Sequence, residues 1–397
     1  MNKKITIPAL LLCCIASGNA FAEKWYFEPT ASLTGGYDDN VRLLANHEQS
    51  DYSSLLNFDM RFGARTEVSD TKFQVQLDSK RYADADLKDL ESDDQKFGVD
   101  TNYRSGLNLF ALTADYIDDS TSTSEEGTTG NIRTSKRRVL KSIAPIWQRQ
   151  VTERSVLFAS YNFTDVDYEE GSLTDYWNDS ASFGVTHSLT EKTSVQVALA
   201  TSRFVSDTLF SSEYKSNSVR IGLNHLLSET LTADMTVGFT RTDSDFQLGP
   251  IKKSVTDNSL QFDASLAKQF LTTTVKAGIV VSEIPSGEGR LLQTTALNLN
   301  IKHKISERLN LLLDMQVYKN ETGGGITVAS DEREYYSIRP MLQWRATEWW
   351  TVTTDYRYRQ QEYTNTSRGG GVAESNAIFV TIRYVWPREN MGRWMGL

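Results

Sequence analysis

The stretch Ala377-Ile-Phe-Val-Thr-Ile-Arg-Tyr-Val-Trp386 constrains the fold more than any other part of the chain. Ile378, Val380, Ile382, Tyr384 and Trp386 fall on one side of an extended strand, with Phe379, Thr381 and Arg383 on the other. A strand of this length with one lipid-compatible face is the unit that crosses a bilayer in β form. In hydrocarbon every unpaired backbone group is costly, so such strands persist only where the sheet closes on itself. The final strand therefore predicts a partner far back in the chain. Trp25–Tyr37 is the segment that fits, making the two ends of the chain a seam.

A repeated turn supports closure. Val151-Thr-Glu-Arg154, Leu189-Thr-Glu-Lys192, Leu227-Ser-Glu-Thr230, Ile305-Ser-Glu-Arg308 and Ala346-Thr-Glu-Trp349 recur at a beat of roughly 40 residues, the length of one hairpin. Ser or Thr bonds the local backbone in a tight turn, and the Glu beside it is solvated. The missing member falls near Phe270-Leu271-Thr272, and looser equivalents lie at Arg104-Ser105-Gly106 and Ser69-Asp70-Thr71. Eight short turns on one side predict an all-β, closed antiparallel transmembrane barrel of about 18 strands, within a range of 16 to 20. The opposite side carries longer loops, among them 38–50, 83–94, 118–136, 248–257, 320–333 and 364–374. Short periplasmic turns and long extracellular loops place both termini in the periplasm.

Strand length separates this reading from a soluble sandwich. Leu56, Phe58, Met60, Phe62 and Ala64 alternate with Asn57, Asp59, Arg61, Gly63 and Arg65, and Leu231–Thr240 and Leu309–Val317 alternate likewise. Sandwich strands average about five or six residues, shorter than these runs. The segment Leu140–Trp147 is ambiguous because it contains Pro145. Aromatic residues gather at strand ends, where amphipathic rings favour the headgroup level. Trp25, Tyr384 and Trp386 are the interface anchors expected at the seam, and Tyr116, Tyr168 and Tyr335 those of the loop side.

Met1–Ala22 has Lys3 and Lys4, an apolar core and Ala20-Phe21-Ala22, the pattern of a secretory signal peptide. Cys13 and Cys14 lie within it, so the chain from residue 23 carries no cysteine. The expected organisation is signal peptide 1–22, barrel 23–387 and periplasmic tail 388–397, the tail being a candidate docking contact for a partner. A formal net charge of −9 argues against nucleic acid.

Catalysis finds no support. His47, His187, His225 and His303 sit in distant segments without metal-ligand spacing, and no Gly-x-Ser-x-Gly nucleophile motif is present. No cofactor, metal site or active site is expected. Asp38-Asp39-Asn40 and Asp93-Asp94 read as solvated loop tips, open to divalent-cation bridges to lipopolysaccharide.

What remains is the lumen. With the apolar faces toward lipid, Asp59, Asp234, Asp314 and Asp355 point inward with many basic residues, lining a polar channel of aqueous width. Closure gathers Arg61, Arg65, Arg339, Arg345, Arg357, Arg359 and Arg383 on one wall. Two readings stay open: arginines paired with lumenal carboxylates, or a basic track for an anionic solute. Any occlusion is expected from inward loops.

The opening Trp25-Tyr-Phe-Glu-Pro-Thr-Ala-Ser-Leu-Thr-Gly-Gly-Tyr-Asp-Asp-Asn-Val41 and the closing Ile378–Trp386 strand resemble those of the outer-membrane β-barrel porins encoded with exopolysaccharide and exosortase gene clusters. The resemblance implies an 18-stranded barrel that passes a capsule-like or biofilm polysaccharide outward, aided by a periplasmic polysaccharide-export lipoprotein. It carries no catalytic residues over. The alternative from the same layout is a passive diffusion porin for small hydrophilic solutes.

Overall fold

The structure, a computed structural model, describes residues 24–126, 128, 135–169, 173–206, 210–248, 251–322, 332–363, 371–387 and 389–390. The signal peptide expected at 1–22 and most of the tail expected at 388–397 lie outside the described residues.

Alternation turns into strands with few interruptions. The first nine are β1 (Lys24–Asp38), β2 (Asp51–Arg65), β3 (Ser69–Tyr82), β4 (Ser92–Ser105), β5 (Asn108–Ser120), β6 (Arg137–Thr152), β7 (Ser155–Tyr168), β8 (Tyr176–Ser188) and β9 (Thr193–Ser206). The rest are β10 (Phe210–Ser228), β11 (Leu231–Leu248), β12 (Ile251–Gln269), β13 (Thr273–Ser286), β14 (Arg290–Lys304), β15 (Leu309–Thr322), β16 (Arg333–Arg345), β17 (Trp350–Tyr363), β18 (Gly371–Val385) and a two-residue β19 (Glu389–Asn390). Each long strand pairs antiparallel with the next, and β1 closes on β18 from Asp38 opposite Ala377 to Thr30 opposite Val385. The result is the closed 18-strand barrel, with the seam where the closing strand required it. The ladder continues past β18, since β19 pairs with Tyr26 and Phe27.

Each repeated turn joins two strands on one side, closed by its hydroxyl. Thr190 Oγ1 accepts from Lys192 N at 3.2 Å, Ser306 Oγ from Leu309 N at 3.1 Å, and Thr347 Oγ1 from Trp350 N at 3.0 Å. Pro145 sits inside β6, with its β5 register intact opposite Leu112. Toward β7 pairing lapses between Ile143 and Ile146 without a change of register, so the missing donor leaves a local gap and no slip there; the one register shift of this ladder falls at the turn end, between Gln150 and Thr152.

The loop expected at 248–257 is a correction. Leu248 pairs with Ile251, and the β11–β12 ladder runs without shift to Leu231 opposite Lys268. Strands of 18 and 19 residues outrun the ~10 needed to span a bilayer, so their ends stand in water. There polar side chains stabilise the ladder: Thr256 donates to Asp243 at 2.6 Å and Ser254 to Asp245 at 2.5 Å. Polar composition marks solvent here, not loop.

The apolar side of the alternation is exposed outward, as in Phe239, Leu260, Ile378 and Ile382. At the seam Tyr384 lies 4.7 Å from Trp350 and 4.6 Å from Trp386, centroid to centroid, and Trp25 stacks on Phe62 at 5.9 Å. The three expected anchors thus form parts of aromatic clusters beside the short turns.

Candidate functional site

Within this barrel the β5–β6 connection turns inward. Ser120 caps a short helical turn, Thr121–Ser124, accepting from Ser122 N, and the chain leaves it with two adjacent carboxylates. Glu125 is held on its own side, receiving a hydrogen bond from Tyr168 Oη at 2.7 Å and facing Arg138 at 3.9 Å. Glu126 reaches the wall formed by β15–β18. Its Oε1 accepts from Arg359 Nη1 at 2.6 Å and Tyr335 Oη at 3.1 Å, and its Oε2 lies 3.9 Å from Arg357 Nη1. The backbone carbonyl of Glu126 accepts from both Arg333 terminal nitrogens, at 3.2 and 3.1 Å, and from Tyr318 Oη. One residue further, the Thr128 carbonyl accepts from Asn320. Glu126 and Thr128 are therefore tied across the interior to three strands far along the chain.

The β1–β2 connection packs under the same anchor. Leu43, at a left-handed φ of 51°, is fully buried against Tyr318, Tyr335 and Ala373. Its carbonyl accepts from Gln361 Nε2 at 2.6 Å, which helps to hold a conformation that a non-glycine residue rarely adopts. Gln361 in turn accepts from Arg333 Nε at 3.2 Å, so two loops share one scaffold.

The motif Asp38-Asp39-Asn40 staples the seam, which corrects the reading of it as solvated. Asp38 is 5% exposed and Asn40 is fully buried. Asp38 Oδ2 accepts from Arg359 Nη2 at 2.7 Å and Arg357 Nη2 at 3.2 Å, while Oδ1 accepts from Ser375 Oγ at 2.6 Å and Asn40 N at 3.0 Å. Asp39 accepts from Asn376 N at 2.6 Å, and Asn40 Nδ2 donates to the Glu374 carbonyl at 2.8 Å. Asp94 likewise is no free tip, receiving Arg137 at 3.0 Å and Thr123 at 3.0 Å. Tyr168 and Tyr335 are corrected too, since their hydroxyls face inward to Glu125 and Glu126.

Five of the seven arginines of the expected wall meet carboxylates. Arg61 pairs with Asp59 at 2.9 Å, Arg339 with the buried Asp355 at 2.8 Å, Arg65 with Asp70, and Arg357 and Arg359 with Asp38 and Glu126. Arg345 and Arg383 are exposed toward the short turns, without an ion pair among the described residues. Asp234 and Asp314 each accept from a neighbouring asparagine, Asn224 and Asn300, and Asp314 stands directly opposite Arg339. Three histidines take one repeated role: His187, His225 and His303 each bond the Ser or Thr directly opposite, at 2.8–2.9 Å. Among the described residues no group of three or more His, Cys, Asp and Glu side chains is placed to hold a metal ion.

Burial alone pushes the Glu126 carboxyl upward, but Arg359 and Arg357 beside it more than reverse this and hold it well below the usual carboxylate range. A depressed folded-state value means that the anchor's contribution is complete above the ordinary glutamate range. It is lost only as pH falls through the lowered value. Limited proteolysis at residues 121–126 is therefore expected to give the same slow rate at pH 8 and pH 5. A rate that rises between those values removes the assignment.

No family model and no curated protein matches the sequence. Solved structures match in three dimensions. The FrpB iron transporter of Neisseria meningitidis (F5-1 variant, apoprotein form) gives a TM-score of 0.52 at 7% identity, over 92% of this chain and 82% of that one. The ferric citrate transporter FecA in its unliganded form gives 0.50 at 7% identity, over 91% and 78%. The fold is that of an outer-membrane barrel. Identity so low carries the architecture and nothing finer, so the role of this barrel has to be argued from its own interior.

Proposed function

We propose that this barrel is an outer-membrane channel for export of a surface polysaccharide, working with a periplasmic polysaccharide-export protein. The observation that carries the reading is the loop held across the lumen by Glu126. A diffusion porin works through a standing aperture, and a loop fixed by charge-assisted bonds from Arg359 and Arg333 narrows it. A dedicated exporter has the opposite need, since it must stay shut until a partner delivers the polymer. The resemblance of Trp25–Val41 to barrels encoded beside exopolysaccharide genes supports the same choice. Arginines already matched by carboxylates argue against a free basic track for a polyanion.

Deleting the gene tests this directly. The expected result is loss of surface polymer, with polymer or its precursors retained inside the cell, and unchanged uptake of small sugars. Normal surface polymer with slowed uptake of small solutes identifies a passive porin instead.

A further inference from the structure

The interior is divided chemically. Across from the wall of β16–β18 and β1–β3, where guanidinium meets carboxylate, the inner faces of β7–β13 line two confluent cavities of about 400 and 300 Å³. Their lining is dominated by hydroxyls and amides, Ser160, Ser182, Ser218, Asn162, Gln196 and Gln261 among them. Only Arg220, Asp263 and Glu283 are charged among the described lining residues. Ala198, Ala200, Gly222 and Gly238 keep the wall low between these groups.

Two further features mark this as more than a wet surface. Phe158 lies against the backbone of Gly184, where a Cβ would come within 2.5 Å of its Cζ. The ring thus covers the glycine on the strand opposite and also lines the larger cavity. Thr240, on the smaller cavity, is 1% exposed, and its hydroxyl has no hydrogen-bond partner among the described residues. A buried hydroxyl without a hydrogen-bond partner is unfavourable.

From this we propose that the β7–β13 wall is a binding track for a neutral oligosaccharide segment. The inference rests on the export reading and names its substrate class. A sugar chain offers alternating donors and acceptors that match hydroxyls and amides, and its apolar C–H faces stack on a flat aromatic ring. A polyanion would shed water against this wall with almost no counter-charge to meet it.

The test is calorimetric titration of the full barrel in detergent with maltoheptaose and, separately, with a galacturonic acid oligomer of equal length. Maltoheptaose is expected to bind and the acidic oligomer not, a preference that needs no variant. Phe158→Ala and Gln261→Leu are each expected to weaken binding roughly tenfold, with heat-modifiable migration on gels confirming the fold. Absence of binding, preference for the acidic oligomer, or unchanged affinity in both folded variants overturns the proposal. The two readings fail separately. Polymer lost on deletion with no maltoheptaose binding removes the neutral track and leaves export, whereas binding with normal surface polymer removes export.

Discussion

Glu126→Gln is expected to open the barrel. The substitution keeps the shape of the side chain and its loop but removes the charge that Arg359 meets at 2.6 Å and Arg357 at 3.9 Å. Breaking a buried ion pair costs about 3–5 kcal/mol. Arg359 keeps Asp38 at 2.7 Å, and Arg333 keeps the Glu126 carbonyl, so the effect belongs at the low end. A change of about 3 kcal/mol shifts a two-state loop roughly a hundredfold toward release. In planar bilayers E126Q is therefore expected to occupy a high-conductance state roughly a hundredfold more, relative to the closed one, than the parent, which visits it rarely. Cells carrying it should become sensitive to antibiotics too large for the parent barrel. The neighbouring Glu125→Gln breaks a contact on the loop's own side and serves as the comparison. If E126Q conducts as the parent does, the loop is not what closes the lumen.

How much of this was legible in the sequence depends on how local each feature is. The hairpin beat could be read because a Ser or Thr closes its turn within three residues, as Ser306 does onto Leu309. Strand faces could be read because alternation has a period of two, and the seam followed from the requirement that edges close. The ends of β11 and β12 were misread because polar pairs such as Thr256 and Asp243 look like loop when taken one strand at a time. Asp38 was misread for a related reason. Its parity along β1, shared with Thr34 and Gly36, points inward, but its acidic neighbours suggested solvent. Glu126 carried no signal at all. In Thr121-Ser-Thr-Ser-Glu-Glu it is one carboxylate of two in a polar connection, and its partner Arg359 is 233 residues away. The direction in which a loop folds is set by the far wall, which no local pattern describes.

The far wall also decides how the barrel stays closed, and Asp38→Ala is expected to show it. Asp38 stands at the last rung of the seam, opposite Ala377, and receives Arg359, Arg357, Ser375 and the Asn40 amide. Without it Arg359, 2% exposed, keeps Glu126 alone as a charged partner among the described residues, and Ser375, fully buried, loses its acceptor. The cost expected for such a broken buried pair, about 3–5 kcal/mol, falls where β1 and β18 have no sequence continuity to hold them together. D38A barrels should lose their folded gel mobility at a markedly lower temperature than the parent. Further substitutions fix the cause. Arg359→Met together with Glu126→Gln replaces the guanidinium by an apolar chain of similar length and neutralises the carboxylate it would otherwise leave unpaired, so D38A/R359M/E126Q should be more stable than D38A alone. Additive losses in the combined variant would mean that Asp38 acts through the loop backbone at Asn40 instead. A D38A barrel as heat-resistant as the parent would mean that the ladder alone holds the seam.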